Sequence, residues 1–201
     1  MKKLLSLVLA MTISVTAMAQ RMKIQSGDLK FLKGVETVNV VFDYSEMKLL
    51  KENFTEAEYI PRRIEELNKK TEGSGELWKK QWERSKEELW NPKFIMIFNK
   101  VLSKENINTK LKENAGGPYT LMVKVKWVYP GWDAGIMKQP AKVTTQLTFV
   151  DSTTKKVLCD IESIEAPGDQ WGSNFNNETR VGEGFAKTGK TLAQKIEREV
   201  K

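Results

Sequence analysis

Residues 119–166 read YTLMVKVKWVYPGWDAGIMKQPAKVTTQLTFVDSTTKKVLCDIESIEA. Three runs in this stretch alternate apolar and polar residues with a period of two, the pattern of half-buried strands. In the first, Tyr119, Leu121, Val123, Val125, Trp127 and Tyr129 share one face, and Lys124 and Lys126 take the other. In the second, Ala141, Val143, Thr145, Leu147 and Phe149 alternate with polar neighbours. The third places Val157, Cys159 and Ile161 on one side. The connection STTK is too short for anything but a tight turn, so the runs form an antiparallel meander with one wet face.

Upstream, Val38, Val40, Phe42 and Tyr44 alternate in VNVVFDYS and predict another half-buried strand, with residues 21–37 as a mixed lead-in or edge strand. Residues 55–105 switch to helical spacing. Thr55 and Glu58 form a capping box. Ile60, Ile64 and Leu67 keep one face, with Pro61 expected in the first turn. EGSG at 72–75 breaks this helix. Trp78, Trp82, Ser85 and Leu89 then share a face, and charged residues lie opposite. Asn91 and Pro92 predict a fresh start, as N-cap and first helical residue. Phe94, Phe98, Val101 and Leu102 carry the next apolar stripe. Tryptophans 78, 82 and 90 suit a ligand cage chemically, but at this spacing they read as core.

The chain closes on a helix over 179–200. It carries a small-residue stripe, Gly182, Ala186, Gly189 and Ala193, that suits close approach to the sheet. Phe185, Leu192, Ile196 and Val200 flank the stripe as an apolar band. The same residues include GFAKTGKT (184–191), which fits the phosphate-loop pattern G-x-x-x-x-G-K-[ST]. A phosphate loop needs a preceding buried strand and a helix that starts at the lysine. Here no buried strand precedes it, and only ten residues follow Thr191. Lys190 and Thr191 are therefore read as a chance match, and no cofactor is expected.

Composition narrows the chemistry. The chain has 201 residues and a net charge of +7, and it contains no histidine. That absence removes Ser-His and Cys-His nucleophilic chemistry and histidine-ligated zinc. The single cysteine, Cys159, forbids an internal disulfide and reads as a small buried hydrophobe. Basic residues are interspersed with acidic ones, which argues against a nucleic-acid surface. No metal site and no catalytic residue is assigned. The first nineteen residues carry Lys2 and Lys3, an apolar run and Ala17-Met18-Ala19, a signal peptide cleaved before Gln20. The expected product is exported, to the periplasm, the cell surface or the medium. It has no transmembrane segment after cleavage.

Residues 20–201 are thus read as one α+β domain, with a mostly antiparallel sheet and helices on one face. In a meander, the 130–140 and 167–178 connections emerge at the same end of the sheet. Its first and third strands lie about 10 Å apart. Trp132 and Asp133 then face Asp169, Trp171 and Asn174, a set suited to stacking on a sugar ring and bonding its hydroxyls. The alternative, which tryptophan's usual burial favours, folds each indole back as a lid on the core. The expected function is a non-enzymatic binding or interaction domain, with a glycan or an envelope protein as partner. Three alternatives are a nucleotide hydrolase through Lys190 and Thr191, a glycosidase through Asp133 and Asp169, and a subunit of an envelope assembly.

The order FLKGVETVNVVFDYS, WKKQWERSKEELWNPKF, PGWDAG, KQPAKV and GFAKTGKTLAQKI resembles a group of exported Bacteroidota proteins of unknown function. The resemblance implies a single exported α+β domain and a non-enzymatic role. It supplies no site residues.

Overall fold

The computed structural model describes residues 20–133, 138–168 and 176–201. Residues 1–19, expected as a signal peptide, and Asp169, Trp171 and Asn174 lie outside the described residues. In chain order the elements are β1 (Arg21–Gly27), β2 (Thr37–Asp43), β3 (Lys48–Leu49), α1 (Glu56–Asn68) and α2 (Ser74–Ser85). A π-helical turn (Lys86–Trp90) leads into α3 (Asn91–Lys104). Then come β4 (Lys110–Glu113), β5 (Tyr119–Tyr129), β6 (Trp132–Asp133), β7 (Lys138–Gln139), β8 (Ala141–Asp151), β9 (Val157–Gly168) and α4 (Asn177–Val200).

The sheet runs β1-β9-β8-β5-β2-β4, with β3 also beside β5. Its longest ladders, β1/β9, β9/β8 and β8/β5, are antiparallel. The shorter β5/β2, β2/β4 and β3/β5 pairs are parallel. The result is an α+β domain whose helices cover one face. α4 packs along β8 and β9, and α3 packs beside α4. Phe94 of α3 meets Phe42 of β2 edge-on, with ring centroids 5.5 Å apart.

Two bulges redirect side chains that simple alternation misplaces. β5 carries an extra residue at Lys126, so Val125 pairs with Thr145 but Val128 pairs with Val143. Val128 therefore takes the core position, and Trp127 and Tyr129, expected to continue the core face, are only half-buried. An extra residue in β9 between Val157 and Cys159 has the same effect: Cys159 and Ile161 are buried but Val157 is exposed. A bulge puts two residues opposite one, and everything beyond it shifts by one position in a period of two.

The helices differ from expectation at both prolines. The Thr55–Glu58 capping box is present and starts α1 at Glu56. Pro61 therefore sits in the second turn, inside the helix, not in the first. At Asn91–Pro92 no new helix begins. Asn91 is helical, buried and uncapped, and the chain runs straight from α2 through the π turn into α3. The wider turn accommodates a proline that lacks an N–H and would crowd the preceding turn. It also shifts the buried stripe, so that Trp90, not Leu89, follows Ser85 into the core.

That shift completes a buried aromatic chain. Ring centroids step from Tyr59 to Trp78 at 5.8 Å, to Trp82 at 5.6 Å, to Trp90 at 5.0 Å and to Phe185 of α4 at 5.6 Å. The three tryptophans are core, within the distances where aromatic pairs add stabilisation beyond burial. The small-residue stripe of α4 serves a different neighbour from the one expected. A Cβ on Gly189 would meet the Phe94 backbone, and one on Gly182 would meet Leu89 and Lys93, so these two glycines face the α3 side. The close approach to the sheet falls on Gly184, against Val143 and the Ala166 carbonyl.

Candidate functional site

The end of the sheet where β5 stops and β8 starts carries a cleft of about 520 Å³, within the range of small-ligand sites. One wall is α1, with Tyr59, Arg62, Arg63 and Glu66. The facing wall is the segment Tyr129–Trp132, and the first turn of α4 adds Asn177 and Arg180. Meander topology puts the 130s connection and the α4 start at one end. The capping box puts α1 beside them by fixing where that helix begins.

The aromatic side of the cleft is held by one amide. Tyr129 Oη donates to Gln139 Oε1 at 2.9 Å, and Trp132 Nε1 donates to the same oxygen at 3.1 Å. Trp132 is 40 % exposed. The lid reading therefore does not describe it: its indole stands at the rim, tied at the N–H end, with ring surface open to solvent. Asp133 is placed by its backbone, which pairs with Lys138 across the β6–β7 hairpin. Asp169, Trp171 and Asn174, and with them the proposed acid pair, lie outside the described residues.

The α1 side is cationic. Arg62 is exposed, and its guanidinium lies 4.6 Å above the Phe54 ring. Arg63 pairs with Glu66 at 2.6 Å, and Lys70 reaches the same carboxylate at 3.4 Å. The hydrogen bond from Arg63 holds the Glu66 carboxyl below its ordinary range. Arg180 is only 2 % exposed. It donates from Nε to the Pro130 carbonyl at 3.3 Å and from Nη2 to the Gly131 carbonyl at 3.5 Å, and it also bonds Asn177. It thus ties the base of the Trp132 segment to α4. Asn176 caps α4, its side chain accepting from Thr179 N at 2.8 Å.

Behind the cleft sits a buried carboxyl. Glu178 is 4 % exposed, and burial raises its pKa above the ordinary value of 4.5. Trp78, Arg63 and Arg180 pull in the other direction. The indole of Trp78 acts from outside hydrogen-bonding geometry, because Trp78 Nε1, Arg63 Nε and Glu178 Oε1 are all buried with no hydrogen-bond partner among the described residues. Tyr59 borders the same region, and burial pushes its hydroxyl up to about 12. A smaller cavity of about 290 Å³ borders the same turn of α4 through Asn176, Glu178 and Thr179.

The phosphate-loop match lies wholly inside α4. Thr191 Oγ1 donates to the Lys187 carbonyl at 3.0 Å and to Gln20 Oε1 at 2.6 Å, and Lys190 is exposed. Inside a helix the backbone N–H groups are bonded to carbonyls one turn back, so the glycines frame no cradle for a phosphate. Among the described residues there is no group of three or more Cys, Asp or Glu able to hold a metal ion. No helix there is long and apolar enough to cross a membrane.

Sequence reasoning found Trp132 and missed Tyr129, Arg62, Arg63 and Arg180. The one available signal was arginine usage. Lysine dominates this chain, and three of its six arginines line the cleft.

No family model matches the chain, and no curated protein matches it. Among solved structures, the chain is similar to the PelC dodecamer from Paraburkholderia phytofirmans. The identity is 12 %, over 87 % of this chain and 97 % of that one, with a TM-score of 0.41. A point variant of the same protein gives 12 %, the same coverage and a TM-score of 0.38. A Xanthomonas campestris protein of the DUF330 family model gives 13 % identity over 46 % of this chain and 53 % of that one, with a TM-score of 0.29. The functional reading of this chain rests on its own residues.

Proposed function

We propose that this chain is an exported, non-enzymatic binding domain that holds a glycan in the cleft between α1 and the Tyr129–Trp132 segment. The observation that carries this reading is the Trp132 indole, partly open at the rim and tied, like the Tyr129 hydroxyl, to the Gln139 side-chain oxygen. A flat apolar ring beside fixed polar groups is the pairing that a sugar offers in complement: a C–H face and a ring of hydroxyls. Export is supported by the leader pattern of residues 1–19 and by the resemblance to exported Bacteroidota proteins.

A thermal-shift and calorimetric screen of the purified protein against oligosaccharides tests the reading. A ligand at a hundred times its Kd stabilises by about 2.7 kcal/mol, which is readily seen. Trp132→Ala is expected to abolish that shift while the unliganded melting temperature stays near wild type. Binding that survives Trp132→Ala would remove the cleft as the site. N-terminal sequencing of the protein from an expressing cell tests export, with Gln20 as the expected first residue.

A further inference from the structure

We infer that the ligand of this cleft is anionic, a sugar bearing a carboxylate or sulfate, and that Arg62 is the residue that meets its charge; this rests on the glycan reading above. Among the described residues the cleft is lined by four cations, Arg62, Arg63, Lys70 and Arg180, and one carboxylate, Glu66, in a chain whose basic and acidic residues are otherwise interspersed. That one carboxylate is already shared by Arg63 and Lys70. Arg180 is engaged with the Pro130 and Gly131 carbonyls and acts as a positioning residue for the segment that carries Trp132.

Arg62 is different. It is exposed, it lies over the Phe54 ring, and it forms no ion pair among the described residues. Stacking on an aromatic face holds the planar fork in place and leaves its edge donors free. Arg63 adds a donor, Nε, that is buried with no hydrogen-bond partner among the described residues. Guanidinium groups suit this task better than ammonium groups, because the fork meets a carboxylate or sulfate through two parallel hydrogen bonds. The enrichment of arginine here, in a lysine-rich chain, supports recognition of a planar or tetrahedral anion. A general cationic surface would show no such preference. Trp132 and Arg62 line the same cleft, so a sugar on the indole presents its substituents toward the arginine wall.

The experiment compares matched pairs that differ only in charge: a galacturonic acid trimer with its methyl ester, and a κ-carrageenan tetrasaccharide with its desulfated form. Calorimetry on the intact protein is run at 20 and 500 mM NaCl (on the order of 20 Å and 4 Å of screening length). One acidic member should bind at least roughly tenfold more tightly than its neutral twin, and the gap should shrink at high salt. Which pair responds identifies carboxylate or sulfate. Arg62→Gln, at an exposed position that leaves folding intact, should lower acidic-ligand affinity by roughly tenfold to a hundredfold. Arg62→Lys should recover part of it. Equal binding of the charged and neutral twins, lost in Trp132→Ala, would overturn the anionic reading and leave the glycan reading standing. Acidic binding unchanged by Arg62→Gln would overturn the assignment to Arg62. No binding by either member of either pair would sink both readings.

Discussion

Gly189 of α4 packs against the backbone of Phe94 in α3 so closely that a Cβ at Gly189 would come 2.4 Å from the Phe94 carbonyl oxygen. No side-chain rotation relieves contact with a backbone atom. Gly184 is nearly as tight, with Val143 Cγ2 at 2.6 Å and the Ala166 carbonyl oxygen at 3.1 Å. Gly182 meets only side-chain atoms, at 3.2 to 3.5 Å. Alanine gains about 1 kcal/mol of helix propensity over glycine, and overpacking costs roughly 1–3 kcal/mol. Gly189→Ala and Gly184→Ala should therefore destabilise the fold by up to roughly 2 kcal/mol net, while Gly182→Ala should be near neutral. Urea denaturation of the three variants checks the order. Equal effects at all three positions would refute the close-packing account.

Trp90 donates from Nε1 to the Glu178 carbonyl at 2.9 Å in a buried site, and it stacks on Phe185. Trp90→Phe keeps a ring on the stack and removes the donor. The carbonyl still accepts within α4, so the loss is that of one hydrogen bond, roughly 0.5–1.5 kcal/mol, and the smaller ring adds to it. Chemical denaturation should show a fall of at least about 1 kcal/mol. A variant as stable as wild type would mean that the bond contributes nothing net.

Two carboxyls give stability opposite dependences on pH. Burial raises Glu178 above its ordinary 4.5, so the folded protein keeps a proton that the unfolded chain releases. Its contribution is complete below about pH 4.5 and is lost as pH rises through the raised value. Glu46 is exposed and is held down to about 2 by hydrogen bonds from Lys124 and Lys126. Its contribution is present above about 4.5 and is lost as pH falls toward 2. Glu178→Gln should therefore lose less stability than wild type between pH 4.5 and 7. Glu46→Gln should lose less than wild type between pH 4.5 and 2. Melting curves at five pH values distinguish these slopes.

The thiol of Cys159 is fully buried, and burial pushes its pKa up to about 11. Thiolate is the reactive form. Labelling by a disulfide reagent at pH 8 should therefore follow the opening of the β8–β9 region and become complete at once in denaturant. Rapid labelling of the native protein would contradict the buried position.

Much of this architecture was legible in local pattern. Period-two alternation in 141–149 put Ala141, Val143, Thr145, Leu147 and Phe149 on the buried face, where they are found. Thr55 and Glu58 announced the start of α1. Helical spacing separated the core tryptophans 78 and 82 from the charged face. Each of these features depends on neighbours within one turn or one strand, which a sequence displays directly. Local reading failed wherever a single residue changed the count. The extra residue at Lys126 carried Val128 into the core in place of Trp127. The π turn did the same for Trp90 over Leu89. Neither insertion has a sequence signature, because each is set by what the partner strand or helix can accept.

The cleft belongs to the second kind of information. Trp132 was visible as an aromatic on a glycine-bearing connection, but its neighbours were not. Arg62 and Arg63 arrive from α1, and Arg180 arrives from α4, 117 positions beyond Arg63. The sequence by itself determined the main strands and helices, and the face each one buries up to the next bulge or π turn, since those follow from the repeat of apolar residues along the chain. Only the tertiary structure decided which charges line the cleft with the indole, because that depends on the order of strands in the sheet and on where α1 and α4 begin.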